Sequence, residues 1–264
     1  MASASLESWI DGLQSRGRYS FLRAEALRDS GLSAEAVGKA LRRAVKSGRL
    51  VRPKEYFYVI VPLEYRAAGV LPVSWFIHDL MKAIKFPYYV GLLSAAALHG
   101  ASHQQPQMFQ VMTDRSARPV LAGRTRIAFY ASKYVMQAAV VEMKTPTGAM
   151  RVSARETTVV DLVRFVKAAG HLDHVASVIG EMAPSLDPKR LAAALGVAND
   201  IPNAQRLGYI LDLVRRRNLA EAVHQWVDRR IERFQPLRPD QPVEEARENR
   251  RWQLLINVPV VVEP

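Results

Sequence analysis

The chain has 264 residues, of which 49% are hydrophobic and 23% charged, so it is long enough for two domains and too apolar to be wholly disordered. It contains no cysteine, which excludes a disulfide framework, a thiolate zinc site, an iron–sulfur cluster and a cysteine nucleophile. Lysine and arginine exceed aspartate and glutamate by 12, mostly within the first 150 residues, which favours nucleic acid as a partner.

Three short helices and a hairpin are predicted in the first 60 residues. Apolar residues repeat at helical spacing over residues 6–13 and again over residues 22–28. After a turn at residues 29–32, Ser33 is a natural N-cap for a third helix over residues 34–47. Residues 49–60 predict two strands with a turn at residues 53–55.

This order is typical of a winged helix-turn-helix, a DNA-binding fold. A helix can enter the major groove when its outer face offers hydrogen-bond donors, and a basic hairpin can lie along the neighbouring backbone. The first 60 residues hold 11 basic and 6 acidic side chains. We predict that the third helix and the hairpin contact DNA through Ser33, Glu35, Lys39, Arg42, Arg43, Lys46, Arg49, Arg52 and Lys54.

Simpler interpretations of this region remain open. Winged helices also serve as protein-interaction modules, and a charged stripe on a helix often only faces solvent. Ser33 fits a helix cap as well as a DNA contact. Gly38 weakens the third helix, which the close approach of DNA or of another helix could explain.

An α+β region is predicted after a linker at residues 61–72. Two helices and then four strands cover residues 73–85, 88–100, 108–113, 126–130, 138–144 and 149–153. Residues 145–148 join the last two strands as a hairpin. No motif accounts for the 9 basic against 4 acidic side chains of residues 61–150.

From residue 154 the chain is predicted to be mainly helical. Five helices cover residues 155–168, 172–183, 187–197, 204–217 and 219–233. A proline-rich segment at residues 236–242 and a strand over residues 254–262 follow. We predict a winged helix-turn-helix domain over residues 1–61, an α+β domain over 73–153 and a helical region over 154–264, with 73–264 as an alternative single domain.

Several segments resemble the AbiEi-type antitoxins of bacterial type IV toxin–antitoxin systems. They are PYYVGLLSAAALHG (residues 87–100), Gln105 and Pro106 with the strand after them, ARETTVVDLVRF (154–165) and QRLGYILDL (205–213). The first block is the most specific, and the family order of domains covers nearly the whole chain. The resemblance implies a repressor that binds the operator of its own operon, and an antitoxin that opposes a nucleotidyltransferase-like toxin encoded beside it.

Two segments are candidates for a partner surface. Tyr88 and Tyr89 fit either an interaction surface or a hydrophobic core. Arg215, Arg216 and Arg217 are predicted late in a helix, where cations favour the helix dipole. They fit that role, or a second contact with DNA or toxin.

A catalytic alternative rests on three residues. Asp114 follows a predicted strand, and Glu142 and Lys144 lie on a later one, which are the residue types of a metal-dependent PD-(D/E)XK-like nuclease. The histidine pairs His99 with His103 and His171 with His174 are weak metal signals, because histidines at helix ends more often cap or pack. Phosphate-binding glycine loops, GxSxG elbows and HExxH motifs are missing from the sequence.

We therefore predict a non-enzymatic α+β protein without cofactor or metal that acts as a DNA-binding repressor and antitoxin. The alternatives are the nuclease and a winged-helix protein-interaction adaptor. The predicted partners are double-stranded operator DNA with an inverted repeat and a cognate toxin, bound by a protein that is monomeric in solution. The N-terminus lacks a signal-peptide pattern, and the longest apolar stretch, residues 86–98, is shorter than the ~20 residues of a membrane span, so we expect a cytoplasmic protein with no membrane partner.

Overall fold

The structure of the protein, a computed structural model, describes residues 5–101 and 107–262. Its internal contacts divide the chain into two compact units. The first comprises Met1–Tyr89, Gln107–Lys133 and Glu142–Arg151, and the second comprises Val90–Pro106, Tyr134–Val141 and Val152–Pro264. The domain boundaries drawn from the sequence, after residues 61 and 153, stay predictions.

Three helices and a three-stranded sheet form the N-terminal part of the first unit. Their order is α1 (Leu6–Ser15), β1 (Ser20–Leu22), α2 (Arg23–Asp29), α3 (Ala34–Lys46), β2 (Leu50–Lys54) and β3 (Phe57–Ile60). The strands are antiparallel in the order β1-β3-β2. The predicted helices and hairpin are confirmed, whereas β1 is additional, since three residues are too few to show an alternation of apolar and polar side chains.

The hairpin turn lies later than the sequence predicts. Glu55 and Tyr56 form it, and Tyr56 has a left-handed backbone with φ 65°. Pro53 is instead a buried residue of β2, at an irregularity of the ladder between Val51 and Lys54. A proline is tolerated there because a bulge spares it from donating a ladder hydrogen bond.

Apolar side chains from all three helices and from the sheet form the core of this region. Ser5 caps α1 by accepting from the backbone N–H of Ser8 at 3.1 Å, and Ser33 caps α3 by accepting from that of Ala36 at 3.2 Å. These caps fix where each helix starts and therefore which face is buried. The buried cluster consists of Leu6, Ile10, Leu13, Phe21, Ala26, Val37, Leu41, Leu50, Tyr58 and Ile60.

A mixed six-stranded sheet follows. A 3₁₀ turn at Val73–Trp75 and the helix α4 (Ile77–Ala83) precede the strands β4 (Tyr88–Val90), β5 (Met108–Thr113), β6 (Val120–Ala122), β7 (Thr125–Ala131), β8 (Val140–Thr145) and β9 (Gly148–Ser153). The strand order is β6-β7-β5-β4-β9-β8. β5 runs parallel to β7, β4 runs parallel to β9, and β6 pairs with β7 antiparallel. The four predicted strands are confirmed, and β4 and β6 are additional.

The two predicted helices of this region need correction. The helix predicted over residues 73–85 is the 3₁₀ turn followed by the seven residues of α4. The helix predicted over residues 88–100 begins as β4, because Val90 pairs with Val152 of β9. Only Leu92–Leu98 is helical there, as α5. Tyrosine and valine favour strands when a neighbouring strand is available, and this tertiary preference overrides the helical spacing.

Helices dominate the second unit. After α5 they are α6 (Arg155–Arg164), α7 (Leu172–Met182), α8 (Pro188–Ala198), α9 (Ile201–Leu213) and α10 (Arg217–Val227). A small sheet in the order β10-β12-β11 consists of β10 (Gln235–Pro236), β11 (Arg247–Asn249) and β12 (Leu254–Ile256). The five helices are confirmed with shifted ends. α9 starts three residues earlier than predicted because Pro202 occupies its first turn, where a missing N–H costs nothing.

The described part of the chain has no helix that is both long and apolar enough to cross a membrane.

Candidate nucleic-acid interface

The exposed face of α3 carries a stripe of cations. Val37 and Leu41 bury the opposite face of the helix in the core. Because residues three or four apart share a helix face, Val37 and Leu41 mark the buried face, and residues on the other faces are open to solvent. The exposed cations of α3 are Lys39, Arg42, Arg43 and Lys46.

Most of the positive charge of this stripe is not neutralised. Lys39 forms an i,i+4 ion pair with Glu35 at 2.6 Å, so these two predicted site residues balance each other. Arg42, Arg43 and Lys46 make no ion pair with any described residue. The helix therefore presents three unpaired cations over little more than one turn.

Gly38 lies beside the stripe. A Cβ atom added there would lie 3.8 Å from a guanidinium nitrogen of Arg23 and 3.9 Å from one of Arg42, which is ordinary van der Waals contact. The other helices therefore do not require a glycine at this position. Packing against another helix therefore does not explain Gly38. The remaining explanation is the close approach of DNA.

The hairpin contributes two free cations rather than three. Arg52 and Lys54 are exposed on β2. Arg49 is turned inward: its guanidinium donates to the Asp11 carboxylate at 2.5 Å and to the Gln14 side chain at 2.9 Å. It joins the hairpin to α1 instead of offering a free donor.

Sequence reasoning missed an aromatic side chain at the hairpin turn. Tyr56 is 52% exposed, although the residues after it, Phe57 and Tyr58, are buried. Its carbonyl accepts from the backbone N–H of Arg23 at 2.8 Å, which fixes the turn against the start of α2. The signal in the sequence is an aromatic residue between two short strands. Because the turn is predicted at residues 53–55, Tyr56 is assigned to a strand.

The two tyrosines proposed for a partner surface lie in the interior. Tyr88 and Tyr89 are only 4% and 1% exposed. The Tyr88 hydroxyl lies 3.2 Å from Nδ1 of His78 and accepts from the backbone N–H of Arg151 at 3.4 Å. Burial raises the pKa of Tyr88 to about 12. The structure therefore assigns both residues to the core, which is the alternative left open by the sequence.

The three consecutive arginines are exposed, but not at the end of a helix as predicted. α9 already ends at Leu213, Arg215 has a left-handed backbone with φ 59°, and Arg217 is the first residue of α10. Arg216 is the N-cap of α10 and its side chain makes no capping hydrogen bond. Cations at a helix N-terminus are disfavoured by the helix dipole.

Ion-paired side chains lie next to Arg215, Arg216 and Arg217, which we call the basic corner. Arg251 forms ion pairs with Asp212 at 3.4 Å and with Glu221 at 3.1 Å. These three residues line a concave surface together with Arg215 and Arg217. The acidic side chains nearby are thus engaged by Arg251, and no described acidic residue pairs with the three consecutive arginines.

The residues of the nuclease alternative do not come together. Asp114 follows β5 and pairs with Arg115 at 2.6 Å, and that hydrogen bond lowers the pKa of Asp114. Glu142 and Lys144 lie on β8, and the sheet order places β4 and β9 between the two strands. Three strand spacings amount to about 14 Å, too far for two carboxylates to share one metal ion.

The described histidines serve local structure. Nε2 of His99 donates to the Ser153 carbonyl at 2.7 Å, and Nδ1 of His171 caps α7 by accepting from the backbone N–H of His174 at 3.2 Å. Among residues 5–101 and 107–262, the structure brings no three histidine, aspartate or glutamate side chains into a metal-binding group. His103, like Gln105 and Pro106, lies outside the described residues.

The ARETTVVDLVRF segment forms the buried helix α6. Glu156 accepts from the backbone N–H of Asp187 at 3.0 Å, and the Thr157 hydroxyl donates to the Ala139 carbonyl at 3.1 Å. Arg164 pairs with Asp200 at 3.2 Å. The polar residues of this segment therefore hold the second unit together.

The QRLGYILDL segment plays the same part in α9. The Gln205 side-chain amide donates to the Trp252 carbonyl at 2.8 Å, and Arg206 donates to the Leu237 carbonyl at 3.1 Å. Gly208 lies against the ring of Trp252, which is completely buried. These residues anchor the C-terminal strands to the helix.

Comparisons with known proteins find similarity to a family model and to a solved structure. Residues 89–213 match the family model described as the AbiEi antitoxin C-terminal domain. The Rv2827c protein of Mycobacterium tuberculosis, known from a crystal structure, is 13% identical and superposes with a TM-score of 0.67 over 94% of this chain and 90% of that chain. At this identity the similarity shows the fold alone. Among curated proteins, no match was found.

Proposed function

We propose that this protein, whose residues 89–213 match the family model of the AbiEi antitoxin C-terminal domain, is both a transcriptional repressor and an antitoxin. It acts in the cytoplasm. There it binds the operator of its own operon and opposes a nucleotidyltransferase-like toxin encoded beside it. The protein is a monomer in solution, and two copies bind the two halves of an inverted repeat. The N-terminal module acts as a winged helix-turn-helix, with α3 in the major groove and the β2–β3 hairpin as the wing.

The observation that carries the DNA-binding half is the unpaired charge on α3. Arg42, Arg43 and Lys46 are exposed with no described acidic partner, although acidic residues are available on α1 and α2. A face that only needed solvation would be stabilised by interspersed acidic residues. Phosphate oxygens supply the missing negative charge, and such contacts position a protein on DNA without choosing its sequence.

A double substitution tests this assignment. Arg42→Ala with Lys46→Ala removes two phosphate contacts, so we expect weaker binding to a duplex from the region upstream of the reading frame. The slope of log affinity against log salt should flatten by about 2, since each lost contact releases about 0.9 fewer counterions. Gel retardation at several salt concentrations measures both quantities.

The matched control is Lys189→Ala with Arg190→Ala, which removes the same charge from exposed positions of α8. It should keep the wild-type slope. An α3 double variant with the wild-type slope contradicts the assignment of α3. Wild-type protein that retards no DNA even at low salt contradicts the repressor and favours a protein-interaction adaptor.

The antitoxin half draws on the basic corner at Arg215, Arg216 and Arg217. A left-handed arginine and a cation at the N-cap of α10 each cost stability locally, and strained positions of this kind cluster where a protein meets a partner. We assign this corner to the contact with the toxin.

A growth assay tests the antitoxin half. The neighbouring reading frame is expressed alone and then together with this chain. A nucleotidyltransferase-like neighbour that stops growth alone, and is neutralised by this chain, supports the proposal. Growth arrest that persists in the presence of the folded chain contradicts it.

A further inference from the structure

The unexplained positive charge of residues 61–150 lies in one short segment. Residues 115–133 contain five basic side chains and no acidic one. The rest of residues 61–150 holds four basic and four acidic side chains and is therefore neutral. The whole +5 excess thus belongs to the segment that contains β6 and β7.

Three of these five cations lie on or beside an exposed hairpin. Leu121 of β6 is paired with Arg126 of β7, so their side chains share one face of the sheet, and both are exposed. The alternate positions Val120 and Ile127 are buried and hold the hairpin in place. The exposed arginines of the hairpin are Arg118, Arg124 and Arg126, and none of them forms an ion pair within the described residues.

The hairpin lies next to the wing. Within the first unit, strand β2, which carries Arg52 and Lys54, contacts strand β6. The turn between β6 and β7 packs tightly on the segment that follows the wing: a Cβ added to Gly123 would lie 2.7 Å from the Gly69 carbonyl oxygen and 2.9 Å from Cβ of Val70. The hairpin is therefore held in a fixed position beside the wing strand.

We propose that the β6–β7 hairpin is a second DNA-backbone contact that extends the wing, with Arg118, Arg124 and Arg126 on the phosphates of double-stranded DNA. The proposal rests on the proposed DNA-binding function and adds a surface outside the N-terminal module. Arg124 and Arg126 are two residues apart in the sequence, which places them within the screening length of about 8 Å at physiological salt, where they repel one another unless a polyanion is bound. The contact adds affinity but reads no sequence.

The chemistry of the surface favours DNA over an acidic protein. Protein interfaces depend on clustered aromatic and apolar anchors, whereas the hairpin offers a lone exposed leucine, Leu121, among arginines. Arginine donates in a fixed fork that matches phosphate oxygens. Because β2 contacts β6, the exposed cations Arg52 and Lys54 belong to the same part of the first unit as the hairpin.

The test is Arg124→Ala with Arg126→Ala, measured on two duplexes: the region upstream of the reading frame and a scrambled duplex of the same length. We expect the salt slope to flatten by about 2 on both duplexes and the affinity to fall by the same factor on both. Arg124→Lys with Arg126→Lys keeps the charge and should keep the slope. Lys189→Ala with Arg190→Ala is again the control for net charge, and thermal unfolding confirms that each variant is folded.

The outcomes separate this inference from the function on which it rests. If the α3 variant loses affinity while the hairpin variant keeps the wild-type slope, the hairpin contact is wrong and the repressor stands; the surface then faces a protein. If the hairpin variant loses affinity on the upstream duplex only, the contact reads bases and the backbone assignment is overturned. If the wild-type protein binds neither duplex, both proposals fail.

Discussion

At the residue scale, a glycine and a tryptophan define how the C-terminal strands attach to α9. Gly208 faces the Trp252 ring, and the indole Nε1 donates to the Asp212 carboxylate at 2.7 Å. The ring is therefore fixed from two sides, by packing on the glycine and by the hydrogen bond. The QRLGYILDL segment needs glycine for this packing and not for backbone freedom, because Gly208 lies inside a regular helix.

Gly208→Ala should destabilise the protein strongly. A Cβ atom at this position would overlap the buried ring of Trp252, and relieving the overlap means moving a side chain that has no free space. We expect a loss of roughly 3 kcal/mol in the free energy of unfolding. The control Gly196→Ala in α8 has only Trp226 within reach, at 3.9 Å, and should gain up to about 1 kcal/mol. Urea unfolding followed by circular dichroism decides; equal midpoints for both variants would contradict the packing argument.

His99 makes the stability of the protein depend on pH. Burial lowers the pKa of His99, with a smaller contribution from Arg155, while the hydrogen bond to the Ser153 carbonyl and Glu156 act in the opposite direction. Because the pKa is lower in the folded than in the unfolded chain, the unfolded chain binds the proton more readily. The stabilisation is therefore complete above about pH 6.5 and is lost as the pH falls through the folded pKa.

The matching experiment compares the wild type with His99→Gln. Between about pH 8 and about pH 5, the urea midpoint of the wild type should fall further than that of the variant, since the other titrating groups are common to both. The difference between the two pH dependences isolates His99. Parallel pH dependences would show that His99 stays neutral or is equally solvated in both states.

At the element scale, α10 begins with cations, which the helix dipole disfavours at an N-terminus. Its N-cap, Arg216, offers no acceptor to the free N–H groups of the first turn, and its cation faces the positive end of the helix. The neighbouring helix starts are capped in the ordinary way: Asp187 caps α8 and Asp200 caps α9. The exception among these helices thus coincides with the corner assigned to the toxin.

Arg216→Asp should therefore stabilise the helix and weaken the function. An aspartate supplies the missing cap and reverses the unfavourable charge, so we expect a gain of about 1 kcal/mol in the free energy of unfolding. Protection against the toxin should decrease at the same time. Arg216→Gln removes the charge without supplying a full cap, and should give a smaller gain in stability. A variant that is more stable and protects as well as the wild type would remove Arg216 from the toxin contact.

At the scale of the whole molecule, positive charge and helical packing are divided along the chain. The first 150 residues carry +10 of the total of +12, and exposed cations of this excess lie on α3, on the β2–β3 hairpin and on the β6–β7 hairpin. The later residues are nearly neutral. Polar side chains of α6 and α9, such as Glu156 and Gln205, form hydrogen bonds inside the second unit. The proposed repressor surface lies in the first unit, and the proposed antitoxin surface lies in the second.

The sequence by itself determined the features that depend on local periodicity. The cationic stripe of α3 follows from helical spacing alone, since an apolar face at Val37 and Leu41 leaves only one face for Arg42 and Lys46. The helices of the second unit are recognisable for the same reason, and the family resemblance is carried by segments that the family model also matches. These features need no information about distant parts of the chain.

Only the tertiary structure decided the features that depend on a distant partner. Three-residue strands such as β4 and β6 exist because a neighbouring strand completes their hydrogen bonds, and no period is visible in so few residues. The same holds for individual side chains: Asp11 on α1 engages Arg49, and the backbone N–H of Arg151 on β9 donates to the hydroxyl of buried Tyr88. The position of the β6–β7 hairpin beside the wing belongs to this class as well, because it joins segments about 70 residues apart in the sequence. Local spacing fixes which side chains share a face, whereas tertiary packing fixes which of those faces remain exposed.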